Sequence, residues 1–333
     1  MRKLSCKIEI ERKWTTEEGS SLSRRWVVER VAGVKITGDT SSLQDTCVVS
    51  LARNTKWKGE ARIPLRRGDA VKVWLGYDGE LKLRFIGQVQ EVSAKTPTTL
   101  TCIDGMMKLQ QLASVKSSYR SCDLKQLLDE QIRGAVEYEL SGTVNIGQYR
   151  VTATTVAGVL RDLKENYGVT SAFVVADGRE LLKVWTVYPG MRELAGRFEE
   201  GKNIISNQLT YRRAADIQVK VTGVSIQADG SRISYTEGEG EQREIYRYGL
   251  SLAELKAAVR DEIERLKWDG LSGSFVTFGE PEVEKTDVVE LKTESVEYGR
   301  YQVKGVNVDF GQGGYRQRVE LGRRIVESLE FKD

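Results

Sequence analysis

Apolar residues recur two apart through the first hundred positions, in the runs Ile8-Ile10, Val34-Ile36, Val48-Leu51, Val71-Leu75, Phe85-Val92 and Leu100-Cys102. Alternation of this kind puts every second side chain on one face of a pleated strand, which suits a sheet with one buried and one wet face. Gly, Asp and Asn break the runs every 8 to 14 residues. Residues 1–103 are therefore predicted to form an antiparallel β-barrel or sandwich. The period changes over 104–198: Val156, Val159, Leu160, Leu163 and Tyr167 fall at helical spacing, with Thr154 or Thr155 as cap and Gly168 as stop. A strand pair, Ala172-Val175 and Leu181-Val187, follows around Asp177-Gly178.

Strands return over 199–333, interrupted by a helix at about 251–268. Ser251 and Glu254 form a capping box, Leu252, Leu255, Val259, Ile263 and Leu266 make an apolar stripe, and Arg265 and Lys267 suit the negative end of the helix dipole. Such a helix can pack across an open barrel end or line a subunit contact. The fold class read from these patterns is α+β and mainly β, with two similar antiparallel β-modules, barrel or sandwich, flanking a small mixed α/β segment.

The similarity of the two ends is itself visible. Asp69 leads Val71, Val73 and Leu75, and the chain returns through Phe85 to Gly87 and Val89. Asp287 leads Val289 and Leu291, and the chain returns through Tyr301 and Val303 to Gly305. Asp and Gly stand 18 residues apart in both copies, since 87 − 69 and 305 − 287 are equal. Asp78-Gly79 marks the first hairpin turn, whereas Glu297, Tyr298 and Gly299 give a weaker signal in the second. Two copies alone do not make a repeat array.

Composition narrows the function. The chain has 333 residues, 51 basic and 48 acidic side chains and a formal charge of +3, so no global field favours nucleic acid or an anionic membrane. No apolar run approaches the length of a spanning helix, and Ile8-Ile10 alternation directly after the start reads as strand rather than leader. Cys6, Cys47, Cys102 and Cys122 are widely spaced, which suits reduced thiols in a cytosol and no zinc site. Histidine is absent, so triads, imidazole acid/base chemistry and H-E-x-x-H zinc hydrolysis are excluded. No catalytic residue, cofactor or metal ligand is nominated.

Two further motifs reduce to structure. Gly196 to Asn203 approaches a phosphate loop, but Asn203 replaces the magnesium-binding hydroxyl, Glu199 and Glu200 would repel phosphate, and Ile204, Ile205, Leu209 and Tyr211 read as strand where a helix is required. The Glu237-Gly238-Glu239-Gly240-Glu241 run reads as a surface turn. Among acids, Asp104 and Asp123 precede helical runs and read as caps. No two of Asp104, Glu130, Asp162 and Asp177 can be paired across a cleft from sequence. The six Trp residues (14, 26, 57, 74, 185 and 268) read as core or interface anchors.

The order barrel, small α/β segment, barrel with inserted helix resembles the baseplate hub proteins of contractile phage tails, a family that includes the late control protein D type and the T4 and Mu hubs. Arg66-Arg67-Gly68-Asp69-Ala70-Val71-Lys72-Val73, Phe85-Ile86-Gly87-Gln88-Val89 and Thr99-Leu100-Thr101-Cys102-Ile103-Asp104 resemble the first barrel of that family. Leu250-Ser251-Leu252-Ala253-Glu254-Leu255, Asp287-Val288-Val289, Gly299-Arg300-Tyr301-Gln302-Val303 and Gly313-Gly314-Tyr315 are similar to its second. Thr286 departs from the family's Gly at that turn, which implies a different backbone shape there. The chain ends at Asp333 without a needle, unlike the related type VI spikes.

The resemblance implies that both β-modules are antiparallel β-barrel domains, and it implies a structural, non-enzymatic hub in the virion tail or baseplate, made in the bacterial host cytoplasm. It implies a homotrimer whose six barrels join a sixfold tail tube protein to a threefold spike protein, beside other baseplate proteins, with no specific nucleic-acid binding. The candidate barrel-edge and interface residues are Asp69, Val71, Val73, Gly87, Asp287, Val289, Tyr301 and Gly305. Competing readings are a tail-associated cell-wall hydrolase, which needs a carboxylate pair, and a carbohydrate-binding β-sandwich, which needs exposed Trp on one sheet face.

Overall fold

A computed structural model describes residues 2–16, 19–55, 57, 63–142, 144–186, 194–294 and 299–325, with only the backbone of Arg265. The N-terminal lobe contains β1 (Leu4–Thr15), β2 (Ser21–Val28), β3 (Val31–Asp39), β4 (Thr46–Leu51), β5 (Ala70–Tyr77), β6 (Glu80–Val92) and β7 (Thr99–Ile103). Alternation works as expected along β1 and β5, where Ile8, Ile10, Val71, Val73 and Leu75 are fully buried. The β5–β6 hairpin turns on Asp78 and Gly79 with φ of 54° and 90°, the left-handed pair that such a turn requires.

The middle segment holds helices α1 (Met106–Gln111), α2 (Leu124–Ile132) and α3 (Val156–Tyr167), with strands β8 (Ser118–Tyr119), β9 (Tyr138–Ser141), β10 (Tyr149–Arg150), β11 (Thr170–Ala176) and β12 (Arg179–Trp185). The caps of α2 and α3 are those the sequence signals. Asp123 accepts the Gln126 N–H, Thr155 accepts the Gly158 N–H, and Gly168 closes α3 in the left-handed region at φ 66°. The N-cap of α1 is Gly105 and not Asp104, which stands one residue earlier and accepts the Met106 N–H and also the N–H of Asp45 in the first lobe. A separate hydrophobic core fills this segment.

The C-terminal lobe contains β13 (Leu194–Glu199), β14 (Ile204–Arg212), β15 (Val219–Ile226), β16 (Arg232–Gly238), β17 (Glu241–Tyr248), α4 (Leu252–Leu266), β18 (Gly270–Phe278), β19 (Val288–Lys292), β20 (Gly299–Gly311) and β21 (Gly314–Ile325). Strand β13 falls inside the sequence-predicted middle segment but pairs with β19. Strands β16-β15-β17 form a small sheet of their own, inserted between β14 and β18, and α4 packs on it through Leu255, Val259 and Ile263. The helix therefore covers its own sheet and not a barrel end. Its capping box forms as predicted, while Leu252 is exposed. Val187, Glu297, Tyr298 and Asp333 lie outside the described residues.

The two expected barrels are corrected by the sheet topology. Thirteen strands form one continuous sheet in which β3 pairs with β20, from Gly305 opposite Asp39 to Gly311 opposite Gly33. The lobe cannot close β3 onto β2, because the free edge of β3 is taken by the other lobe. One hydrophobic core accordingly runs through both lobes.

The repeat survives this correction and becomes stricter. The neighbour order β3-β4-β7-β6-β5 is matched by β14-β18-β21-β20-β19, every pair antiparallel. Each lobe carries one Asp turn. Asp69 Oδ2 accepts the Arg66 N–H at 2.8 Å, and Asp287 Oδ2 accepts the Glu284 N–H at 2.8 Å. The Asp69 carbonyl accepts the Val89 N–H at 2.8 Å and the Asp287 carbonyl that of Val303 at 2.8 Å, while Gly68 and Thr286 donate back to the same two valines.

Thr286 thus has the backbone shape of Gly68, with φ of 76° against 92°, and the expectation of a different turn is overturned. The cost is a β-branched residue in the left-handed region, with its hydroxyl buried and unsatisfied. Replacing Thr286 by Gly is expected to raise stability by about 1 kcal/mol in denaturant unfolding, because strain and the orphaned hydroxyl are relieved together.

Candidate assembly interface

Six of the eight residues singled out by the sequence lie inside the continuous sheet, and Asp69 and Asp287 lie in the turns that lead into β5 and β19. Val71, Val73, Val289 and Tyr301 are fully buried, and Asp69, Gly87, Asp287 and Gly305 are buried too. Strands β5, β6, β19 and β20 each have a neighbour on both sides. The equal spacing to Gly proves coincidental: Gly87 pairs with Val71, and its counterpart opposite Val289 is Tyr301, whereas Gly305 faces Glu320 and Asp39. Gly87 is required by close approach, since a Cβ there would come within 2.2 Å of the Ile103 carbonyl oxygen. Tyr301 instead fills the second lobe, its hydroxyl accepting the Leu271 N–H at 3.0 Å.

Among the described residues, free edges lie on β2 and β14 at the ends of the long path of the sheet, and on β13 at the end of its β19 branch. The β1–β2 hairpin overshoots the core: on the row that buries Ile8, Ile10, Trp26 and Val28, Trp14 stands opposite Leu22, and both are exposed. Along β14, Ile205 and Tyr211 are exposed, as is Phe278 on the adjoining β18. Alternation alone could not reveal this, because Trp14 obeys the inward phase of its strand and only the length of the hairpin leaves it uncovered.

Where the lobes meet, each sends a cation into the other. Arg84 of β6 donates to the Tyr315 hydroxyl at 2.9 Å and the Val283 carbonyl at 3.1 Å, and lies 3.3 Å from Glu284. Lys285, from the Asp287 turn, reaches Asp45 at 2.5 Å. Asp104 brings in the middle segment through the Asp45 N–H at 2.8 Å. Burial pushes Asp45 up against the pull of Lys285, and burial together with Asp45 holds Asp104 well above the usual carboxylate range. Burial takes Glu284 up to about 7, with Arg84 opposing.

A cavity of about 30 Å³ lies among Asp45, Arg84, Asp104, Glu180 and Glu284. Small-molecule sites occupy roughly 300–1,000 Å³, so this acid-rich pocket cannot admit a saccharide. Each of its carboxylates is already engaged by a cation or a backbone N–H. Among the described residues no three metal-ligating side chains cluster, and the four cysteines are free and buried. No described helix is long and apolar enough to cross a membrane.

The duplicated lobes with the joined sheet have solved parallels. The chain aligns with a 43 kDa tail protein of prophage MuSo2 from Shewanella oneidensis at TM-score 0.60 and 12% identity, covering 95% of this chain and 98% of that one. This chain has the fold of phage tail proteins. A tail protein from Neisseria meningitidis MC58 gives TM-score 0.60 at 10% identity, covering 96% of each chain. A PdpA–VgrG complex gives 0.52 at 8% identity, covering 99% of this chain and 67% of that one. No protein-family model matches the sequence, and no curated protein matches it.

Two predictions follow from the junction. Arg84→Met leaves Glu284 and the Tyr315 hydroxyl without their buried partner, and is expected to cost about 3–5 kcal/mol in denaturant unfolding. Glu284 has a folded pKa above its unfolded value, so its stabilising contribution is complete below about pH 4.5 and is lost as pH rises through about 7. Unfolding free energy measured from pH 5 to 8 should fall over that window, and Glu284→Gln should flatten the fall.

Proposed function

We propose that this chain is a structural hub in the baseplate of a phage or phage-like contractile tail, acting as a homotrimer that joins a sixfold tail tube protein to a threefold spike protein. The observation that carries this reading is the same order of five paired strands in each lobe: three copies of a chain with two such lobes present six similar lobes around one axis. Tail proteins of the same fold support it, and the likeness to a VgrG complex supports the spike side.

Neighbouring copies meet through the free edges of β2 and β14, where unpaired backbone groups and exposed Trp14, Leu22, Ile205 and Tyr211 offer both hydrogen bonds and apolar area. The eight buried residues of the Asp turns and their strands shape these lobes from within. The chain is made in the bacterial host cytoplasm, works in the virion tail beside other baseplate proteins, and performs no catalysis.

Light scattering of the full chain tests the reading. A particle of about 112 kDa, three times the chain's 37.4 kDa, is the expected result. A mass that stays at one chain across micromolar concentrations, together with release of fragments from purified peptidoglycan, would replace the hub by a tail-borne hydrolase.

A further inference from the structure

The two Asp turns are built alike but used differently. In the second lobe the residue two before the aspartate is Lys285, buried and paired with Asp45, which immediately precedes β4 of the first lobe. In the first lobe the residue two before the aspartate is Arg67, which is exposed. The strand that matches β4 in the second lobe is β18, and the residue immediately before it is Asp269, also exposed.

A base in the turn and an acid at the strand entrance are thus present in both lobes. One chain satisfies only one combination, the second-lobe turn against the first-lobe strand. Among the described residues Arg67 and Asp269 make no ion pair. Asp269 is nevertheless held in place: its Oδ1 accepts the Ala214 N–H at 2.9 Å and its carbonyl accepts from Arg324. Neither bond neutralises the carboxylate fully, because a backbone amide carries no net charge and Arg324 is bonded to the carbonyl.

We propose that Arg67 of one copy pairs with Asp269 of the next, repeating between chains the Lys285–Asp45 contact that joins the lobes within each. The inference rests on the homotrimer reading and specifies its surface. A second copy is the occupant because the chain itself carries the matching acid, Asp269, at the strand entrance that corresponds to Asp45. In a ring of six similar lobes, contacts within chains alternate with contacts between them, and similar lobes reuse similar contacts. The turn that is buried inside the chain and the turn left exposed are then the two halves of one alternating pattern.

Sedimentation velocity on the full chain tests the pair by charge reversal. Arg67→Glu and Asp269→Arg should each lower the trimer–monomer equilibrium constant by about tenfold or more, since the contact recurs at three interfaces. Combining the two should restore most of the loss. Circular dichroism should show all three variants folded, because both side chains are exposed. A wild-type trimer indifferent to either single change, or single losses that the double variant does not recover, would overturn the pair while leaving the trimer standing. A wild-type chain that never associates would overturn the trimer reading, and the pair with it.

Discussion

The exchange of cations between lobes is the constraint around which the rest of the molecule is arranged. Arg84 leaves the first lobe to lie among Tyr315, Val283 and Glu284, and Lys285 leaves the second to reach Asp45. A buried charge without its partner is costly, so each cation holds the opposite lobe in one position. The pairing of β3 with β20 then has a fixed register, and a single core can run through both lobes. Asp104 extends the same restraint to the middle segment, which has its own core and is held to the first lobe also by Gln110 on Gln44 and by Lys164 on the Ser41 carbonyl. Buried ion pairs rarely add much net stability, but they discriminate strongly among relative placements.

The Asp turn shows how a repeat can be kept in geometry while its residues diverge. The same backbone bonds recur around Asp69 and Asp287, with Gly in the left-handed position of one and Thr in that of the other. A strained Thr286 is tolerated because its turn is packed into the lobe junction, where the flanking Glu284 and Lys285 are held by partners from the other lobe. Duplication of the turn therefore did not require duplication of its surroundings. In one copy it became an internal joint, and in the other it faces outward.

Much of the local structure was legible from residues alone. Thr155 and Gly168 bound α3, Asp123 caps α2, Ser251 and Glu254 start α4, and Asp78-Gly79 turns the first hairpin, because caps and turns depend on the backbone needs of four or five consecutive residues. Burial phase along β1 and β5 was legible for the same reason. The resemblance to tail proteins added the order of the large pieces. What stayed hidden were the pairings between distant strands: the sheet β16-β15-β17 beneath α4, the parallel pairing of β13 with β19, and the junction of β3 with β20. Asp104 looked like a plain cap because the N–H of Asp45 that it also accepts is 59 positions away in the chain.

The sequence by itself determined most strands of the first lobe and the helices α3 and α4, that the chain lacks every chemistry requiring histidine, and that its two ends share an Asp-led β-module. Those properties follow from side-chain periodicity and residue identity, which act over a few residues. Only the tertiary structure decided that the modules share one sheet instead of closing separately, that Tyr301 and not Gly305 answers to Gly87, and which Asp turn packs against the other lobe. The reason is that a strand's second edge and a turn's outer face are covered by elements far away in the chain, which local periodicity does not encode. Here β20 covers the edge of β3, and the Asp287 turn packs beside Asp45.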